Sequence, residues 1–264
     1  LMGNEMIFLP RFNAEDVINH LSEASVYMGV PTHYTRLLKE KLFTREMSDT
    51  IRVFISGSAP LLPETFSEFE ERTGQKILER YGMTETVMNC SNPYDGPRLA
   101  GSVGPALPGI QARIVDENGN DLPTNTIGSL EIKGPNVFQG YWGKDDITAR
   151  CFTKDGYFKT GDMAEMNEAG CISLVGRAND MIISGGFNVY PLEIEELLNS
   201  QSSIEEAAVI GVPHADFGEA VVAICVSDGL DEGAMIDFLK NTLANYKIPK
   251  RIVTVAALPR NTMG

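Results

Sequence analysis

Histidine and cysteine are scarce in this chain of 264 residues, with three of the first and four of the second. His20, His33 and His214 are too scattered to suggest a zinc site, and Cys90, Cys151, Cys171 and Cys225 include no close pair with metal-ligand spacing. Such thiols read as reduced and mostly buried, in a reducing compartment. Long apolar runs are missing too, so no membrane span is expected. Basic residues are outnumbered, 22 Lys and Arg against 36 Asp and Glu, for a formal net charge of -14. A surface that acidic repels a nucleic-acid backbone, so no nucleic-acid partner is expected. It also repels free ATP, so a nucleotide site here must supply its own dipoles, basic residues and metal ion. Leu1, Met2 and Gly3 carry no charged leader with an apolar stretch and cleavage site, and read as entry into the middle of a fold. The other end stops abruptly at Gly264 after a strand-like run.

With 43% hydrophobic residues, the chain can fill one sizeable core, or one large and one small domain. Residues 12–24 place Val17, Ile18 and Leu21 at helical spacing behind Asn13, a residue type suited to an N-cap. Residues 26–30 read as a strand closed by Pro31, and 32–42 as a helix. The continuous apolar run at 52–56 fits a buried parallel strand. A helix over 63–72 and a strand over 76–81 complete a βαβ unit. Ligands of such sheets sit beyond the carboxyl ends of the strands, which directs attention to residues 57–60 and 82–85. From 101 to 176 the texture changes to short strands (111–116, 128–133, 171–175), with hairpin signals at Asn118-Gly119 and Asp155-Gly156. After Gly176 come a helix at 191–200 with Pro191 at its start, strands at 207–212 and 220–226, and a helix at 231–244. The expected fold is α/β with mixed sheets, divided into residues 1–178 and a small α+β domain over 179–264.

Five segments have the residue types of a nucleotide site. Gly57, Ser58, Ala59 and Pro60 let a ligand approach the backbone, although a plain turn explains them equally well. In the run Tyr81-Gly82-Met83-Thr84-Glu85, tyrosine can stack on a base, the threonine hydroxyl and backbone N–H groups can bond phosphate, and the carboxylate can hold Mg²⁺. The other reading is a capping turn with Thr84 as helix N-cap. Lys159-Thr160-Gly161-Asp162, placed between β segments, offers a carboxylate to a ribose, and Arg177 is either a partner in that or a surface ion pair. Gly185 and Gly186 present bare backbone before a helix, or fill a loop that needs positive φ.

In this order, Ser58-Ala59-Pro60, Tyr81 to Glu85, Thr160-Gly161-Asp162, Gly176-Arg177, Gly185 to Pro191 and Pro259 to Gly264 resemble the AMP-forming acyl-CoA synthetases of the adenylate-forming superfamily. Glu79 to Glu85, Ser91-Asn92-Pro93-Tyr94-Asp95-Gly96, Gly134-Pro135-Asn136-Val137-Phe138, Val212 to Gly218 and Leu258 to Gly264 are similar to the malonate-activating branch of that family. The resemblance implies the C-terminal part of a large AMP-binding domain followed by a small mobile domain. It also implies ATP, Mg²⁺ and coenzyme A as cofactor and co-substrates, and a carboxylic acid, malonate or a related dicarboxylate, as substrate. A fatty or aromatic acid is the alternative substrate, and a nucleotide-binding module without turnover the alternative function. By the same resemblance, Gly57, Ser58, Ala59 and Tyr81 line the adenine pocket, with Gly82 and Met83 in the same run. Thr84 contacts the α-phosphate and Glu85 binds Mg²⁺, as the catalytic pair. Asp162 and Arg177 hold the ribose, and Gly185 and Gly186 border the pantetheine tunnel. Asn179 stands at the hinge, where the family usually has Lys or Asp. The family's catalytic lysine would directly follow Gly264, and its phosphate loop would precede Leu1. Arg11, Arg36, Arg52 and His33 are candidates for a second anionic end of the substrate. The expected compartment is cytoplasmic, or alternatively the mitochondrial matrix.

Overall fold

The computed structural model describes residues 3–259. The Pro259-to-Gly264 match therefore lies outside the described residues from Arg260 onward.

Contacts divide the chain into two compact units: one runs to Thr160 and includes Ala164–Leu174, the other holds Gly161–Met163 and the chain from Val175 on. The first begins with helix α1 (Ala14–His20), capped as its sequence suggests: the Asn13 side chain accepts from the Asp16 N–H at 3.0 Å. Strand β1 (Val26–Gly29) follows, then α2 (Pro31–Lys39). Pro31 opens this helix at its first position rather than merely closing the strand, because a missing N–H costs nothing there. A short helix α3 (Arg45–Ser48) leads into β2 (Val53–Ser56), α4 (Pro63–Thr73) and β3 (Leu78–Tyr81). Strands β1, β2 and β3 are parallel, and β4 (Cys90–Ser91) adds antiparallel to β3.

An aromatic core fixes this sheet against its helices. Phe54 and Phe69 meet edge to face at 4.8 Å, and Tyr34 and Phe43 pack on Phe69 at 5.5 and 5.7 Å. All four rings are fully buried, each contributing roughly 1.5–3 kcal/mol of transfer free energy. The Tyr34 hydroxyl, sealed from water, donates to the Ile55 carbonyl at 2.6 Å. Gly74 ends α4 in the left-handed conformation, its N–H bonded to the Glu70 carbonyl.

The β-rich region expected over 101–176 is a five-stranded sheet in the order β5-β9-β8-β7-β6. It is built from β5 (Gly104–Pro105), β6 (Gln111–Val115), β7 (Gly128–Lys133), β8 (Phe158–Met166) and β9 (Cys171–Arg177). Helix α5 (Asp145–Cys151) lies between β7 and β8 in the chain. Lys159 to Asp162 is not a connection between β segments, as expected, but part of the nine-residue strand β8. Gly161, at φ +78°, takes the backbone conformation within the strand that a side chain resists.

The second unit carries β10 (Ile182–Ser184), β11 (Phe187–Val189), α6 (Pro191–Asn199), β12 (Glu206–His214), β13 (Gly218–Val226), α7 (Glu232–Lys240) and β14 (Arg251–Val255). The strands order as β11-β10-β13-β12, with β14 parallel beside β13 after an α7 crossover. Val189, Ile194, Leu198, Val221, Cys225 and Leu239 form its core. Strands β12 and β13 pair along their whole length, from Glu206 opposite Val226 to His214 opposite Gly218. Both run about two residues past the expected ends, because a hairpin partner satisfies their backbone groups up to the turn.

Candidate functional site

In the first unit, the three parallel strands deliver their carboxyl ends to one cleft of about 530 Å³. Gly29 comes from β1, Ile55, Gly57 and Ser58 from the end of β2, and Arg80, Gly82, Met83 and Thr84 from the end of β3. Val30 and His33 from the start of α2 and the apolar Met28, Val87 and Met88 complete the wall. This is the edge of a parallel sheet at which ligands bind. Two loops far apart in sequence, 57–58 and 82–84, thus meet around one space, as the sequence led us to expect.

The backbone at this edge is unusual. Ser58 has φ +73° and Val87 φ +55°. A β-branched residue in that region is strained, and such strain gathers at functional sites. Gly82 has no room for a side chain, since a Cβ there would stand 2.0 Å from the Val87 carbonyl oxygen. The chain therefore doubles back tightly after β3. No helix starts at Thr84, so the capping reading is set aside; residues 84–86 form a turn, with the Thr86 N–H on the Met83 carbonyl at 3.1 Å. Thr84 is exposed, and Glu85 is half-buried.

A second segment holds that turn in place. Asn136 Nδ2 donates to the Thr86 carbonyl at 2.7 Å, the Met88 carbonyl at 3.1 Å and Asn89 Oδ1 at 3.0 Å. The Phe138 N–H donates to the Glu85 carbonyl at 2.7 Å, and the Tyr141 hydroxyl to Glu85 Oε1 at 2.8 Å. That bond to a carboxylate holds the Tyr141 proton and pushes its pKa up to about 12. Tyr141 was not singled out from the sequence, and Asn136 only within the run Gly134 to Phe138 that resembles the family; nothing in the sequence ties either to residues some 50 positions earlier.

Other expected site residues lie elsewhere. Tyr81 is buried in the core with Cys90, Ile114 and Leu130 and does not line the cleft. Ala59 is exposed and also outside the lining. Among the acid-recognition candidates only His33 reaches the cleft; its ring stacks on Phe12 at 4.0 Å. Burial first, and Arg36 second, lower the His33 pKa and favour a neutral ring. Arg11 is exposed, Arg36 lies over Phe12 at 5.8 Å and Arg52 over Tyr94 at 6.0 Å, none of them in the lining. The sequence reading missed Arg80, the one formally charged lining residue among those described. Period-two alternation was the available signal: with Tyr81 buried, the residue before it faces the other side.

In the second unit, the Asp162 carboxylate on β8 pairs with Arg177 Nε on β9 at 3.4 Å. Asp162 is buried and Arg177 largely exposed. Gly185 and Gly186, at φ +59° and +82°, form the two-residue turn of the β10–β11 hairpin. Both need positive φ, as a type I′ turn requires. Asn179 lies in an exposed 3₁₀ turn (Ala178–Asp180). All four cysteines are free. Among the described residues, no cluster of three His, Cys, Asp or Glu side chains could hold a metal ion, and no helix is long and apolar enough to cross a membrane.

Residues 1–142 match the model of the AMP-binding enzymes, and residues 193–264 that of the AMP-binding enzyme C-terminal domain. The chain belongs to the AMP-binding enzyme family. The chain is 37% identical to a malonate–CoA ligase of Arabidopsis thaliana, over 97% of its own length and 47% of the relative's. It is 36% identical to a long-chain-fatty-acid–CoA ligase of Yersinia pestis, over 96% and 46%. ATP-bound MatB from Rhodopseudomonas palustris superposes with a TM-score of 0.94 at 52% identity, covering 98% of this chain and 52% of MatB. The chain thus spans about half the length of the curated relatives it matches.

Proposed function

We propose that this chain is part of an ATP-dependent acyl-CoA synthetase that activates a carboxylic acid, malonate or a related dicarboxylate, as an acyl-AMP and passes the acyl group to coenzyme A. The observation that carries this reading is the meeting of Gly57-Ser58 and Gly82-Met83-Thr84 around one cleft in which Arg80 is the only formally charged lining residue among those described. In a chain of net charge -14, a cleft wall that has one cation and no carboxylate among the described residues suits an anionic ligand.

In the first half-reaction a carboxylate oxygen of the acid attacks the α-phosphorus of ATP. The bond from that phosphorus to its bridging oxygen breaks, and pyrophosphate leaves with the electron pair. In the second, the coenzyme A thiolate attacks the acyl carbon and AMP leaves. Neither step needs a protein nucleophile; positioning and charge neutralisation supply the catalysis. Thr84 would bond the α-phosphate, with the Gly57 and Ser58 backbone against the adenine. Asp162 and Arg177 would serve the ribose, Gly185 and Gly186 would border the pantetheine arm, and Asn179 would be the hinge of a mobile small domain beginning at residue 179.

The donor set fits Mg²⁺ delivered with the nucleotide: one half-buried carboxylate, Glu85, beside an exposed hydroxyl, Thr84. Mg²⁺ is commonly held by one or two carboxylates together with substrate phosphates. When bound, it neutralises phosphate charge. Free thiols support a reducing compartment, the cytoplasm or the mitochondrial matrix.

Arg80 supports a second anionic end on the acid, hence a dicarboxylate. The apolar Met28, Val30, Ile55, Met83 and Val87 in the same wall support the second reading, a fatty or aromatic acid. The test is pyrophosphate release by the parent polypeptide in its entire length, with ATP and a panel of malonate, succinate, fatty and aromatic acids. Release with malonate is expected. Release with monocarboxylates only would overturn the substrate, and release with no acid would overturn the enzyme.

A further inference from the structure

We infer that Tyr141 is a positioning residue for Glu85, aiming its carboxylate at the metal ion of a bound nucleotide. This inference rests on the reading of the cleft just proposed and adds a residue that reading does not use.

Glu85 follows Thr84 in the turn, and its side chain alone could rotate among several directions. Two contacts fix the backbone around it, and one holds the carboxylate itself. The Glu85 carbonyl accepts from the Phe138 N–H, and Glu85 Oε1 accepts from the Tyr141 hydroxyl at 2.8 Å. The next residue's carbonyl, that of Thr86, accepts from Asn136. Tyr141 is itself fixed: its N–H donates to Thr148 Oγ1 at 2.9 Å, in the middle of α5, and its ring meets Phe138 edge to face at 4.9 Å.

The chemistry of this pair is specific. A phenol hydroxyl that donates to one carboxylate oxygen leaves the other for a cation. The donor is neutral, so it orients the carboxylate without cancelling the charge the cation needs. An arginine or lysine in its place would compete with the metal. Hydrogen-bond partners that orient a metal-binding carboxylate are worth roughly 10–100-fold in metal affinity.

Removing only the hydroxyl separates this role from packing. Tyr141→Phe keeps the ring contact with Phe138 and the backbone bond to Thr148. The experiment is isothermal titration calorimetry of ATP into the full chain, in excess Mg²⁺ and again in EDTA, for wild type, Tyr141→Phe and Glu85→Gln, with thermal melts as a check on folding. The readout is the gain in ATP affinity that Mg²⁺ brings. Tyr141→Phe is expected to shrink this gain by about 10-fold, leave the EDTA affinity unchanged and melt as wild type does. Glu85→Gln is expected to abolish the gain. If Glu85→Gln abolishes it while Tyr141→Phe retains it, the role of Tyr141 is overturned and the metal reading stands. A gain that survives Glu85→Gln overturns the metal reading, and the inference with it. The same holds if wild type binds no ATP.

Discussion

The carbonyl oxygen of Val87 occupies the space into which any side chain on Gly82 would grow, 2.0 Å from the position of its Cβ. The obstacle is backbone rather than a movable side chain, so the turn after β3 can close only over glycine. Gly82→Ala is expected to lower stability by about 1–3 kcal/mol, the usual range for overpacking, and to weaken ATP binding together with it. Urea denaturation followed by circular dichroism measures the first and calorimetry the second. An unchanged midpoint would mean that residues 82–87 do not fold back in this way.

Val87 itself stands at φ +55° and is largely exposed. A β-branched residue there costs roughly 1–2 kcal/mol, and asparagine tolerates the conformation far better. Since little packing is lost, Val87→Asn should raise stability by about 1 kcal/mol. A shift of the denaturation midpoint to higher urea would bear this out, and a shift to lower urea would count against the strained turn.

Arg80 puts a formal positive charge in the cleft wall. Arg80→Met keeps much of the apolar stem and removes the cation. In the full-length parent it should raise the KM for malonate by about 30-fold, corresponding to ~2 kcal/mol for a hydrogen bond to a charged group. The KM for a monocarboxylate should change little. Equal losses for both acids would place Arg80 on the nucleotide side of the cleft instead.

Glu195, on α6, is mostly withdrawn from water and accepts from the Val209 N–H at 2.8 Å. Burial raises its pKa above the ordinary value of 4.5; the Val209 bond lowers it and the nearby charge of Asp180 raises it. The folded state therefore holds this proton more tightly than the unfolded chain. Its contribution to stability is present in full below the unfolded pKa and is lost as pH rises through the folded one. Glu195→Gln keeps an acceptor for Val209 and has no proton to lose. It should be more stable than wild type at neutral pH, with a flatter profile above about pH 4.5. Denaturant midpoints across a pH series decide this; a variant less stable than wild type at pH 7 would contradict it.

Part of this architecture was legible in the chain. The apolar run into β2 and the amphipathic stretch of α4 gave the βαβ unit, and with it the edge where Gly57, Ser58, Gly82 and Thr84 converge. The Asn13 cap and the Pro191 helix start were legible because capping is local. The placement of Tyr81 was not, because an aromatic after a strand serves a base or a core equally well, and only β4 and the second sheet decide for the core. The bonds of Asn136 and Tyr141 were not legible for a related reason: their partners lie across a whole subdomain, and hydrogen bonds of that span leave no periodicity. The short helices α3 and α5 have too few residues to show a repeat.

The convergence of two distant loops on one nucleotide is tested most directly by diffraction from crystals grown with ATP and Mg²⁺. Phosphate density should lie against the backbone of Gly82, Met83 and Thr84, with the adenine beside Gly57 and Ser58. Nucleotide density anywhere else, with that cleft left to solvent at saturating ATP, would contradict the account.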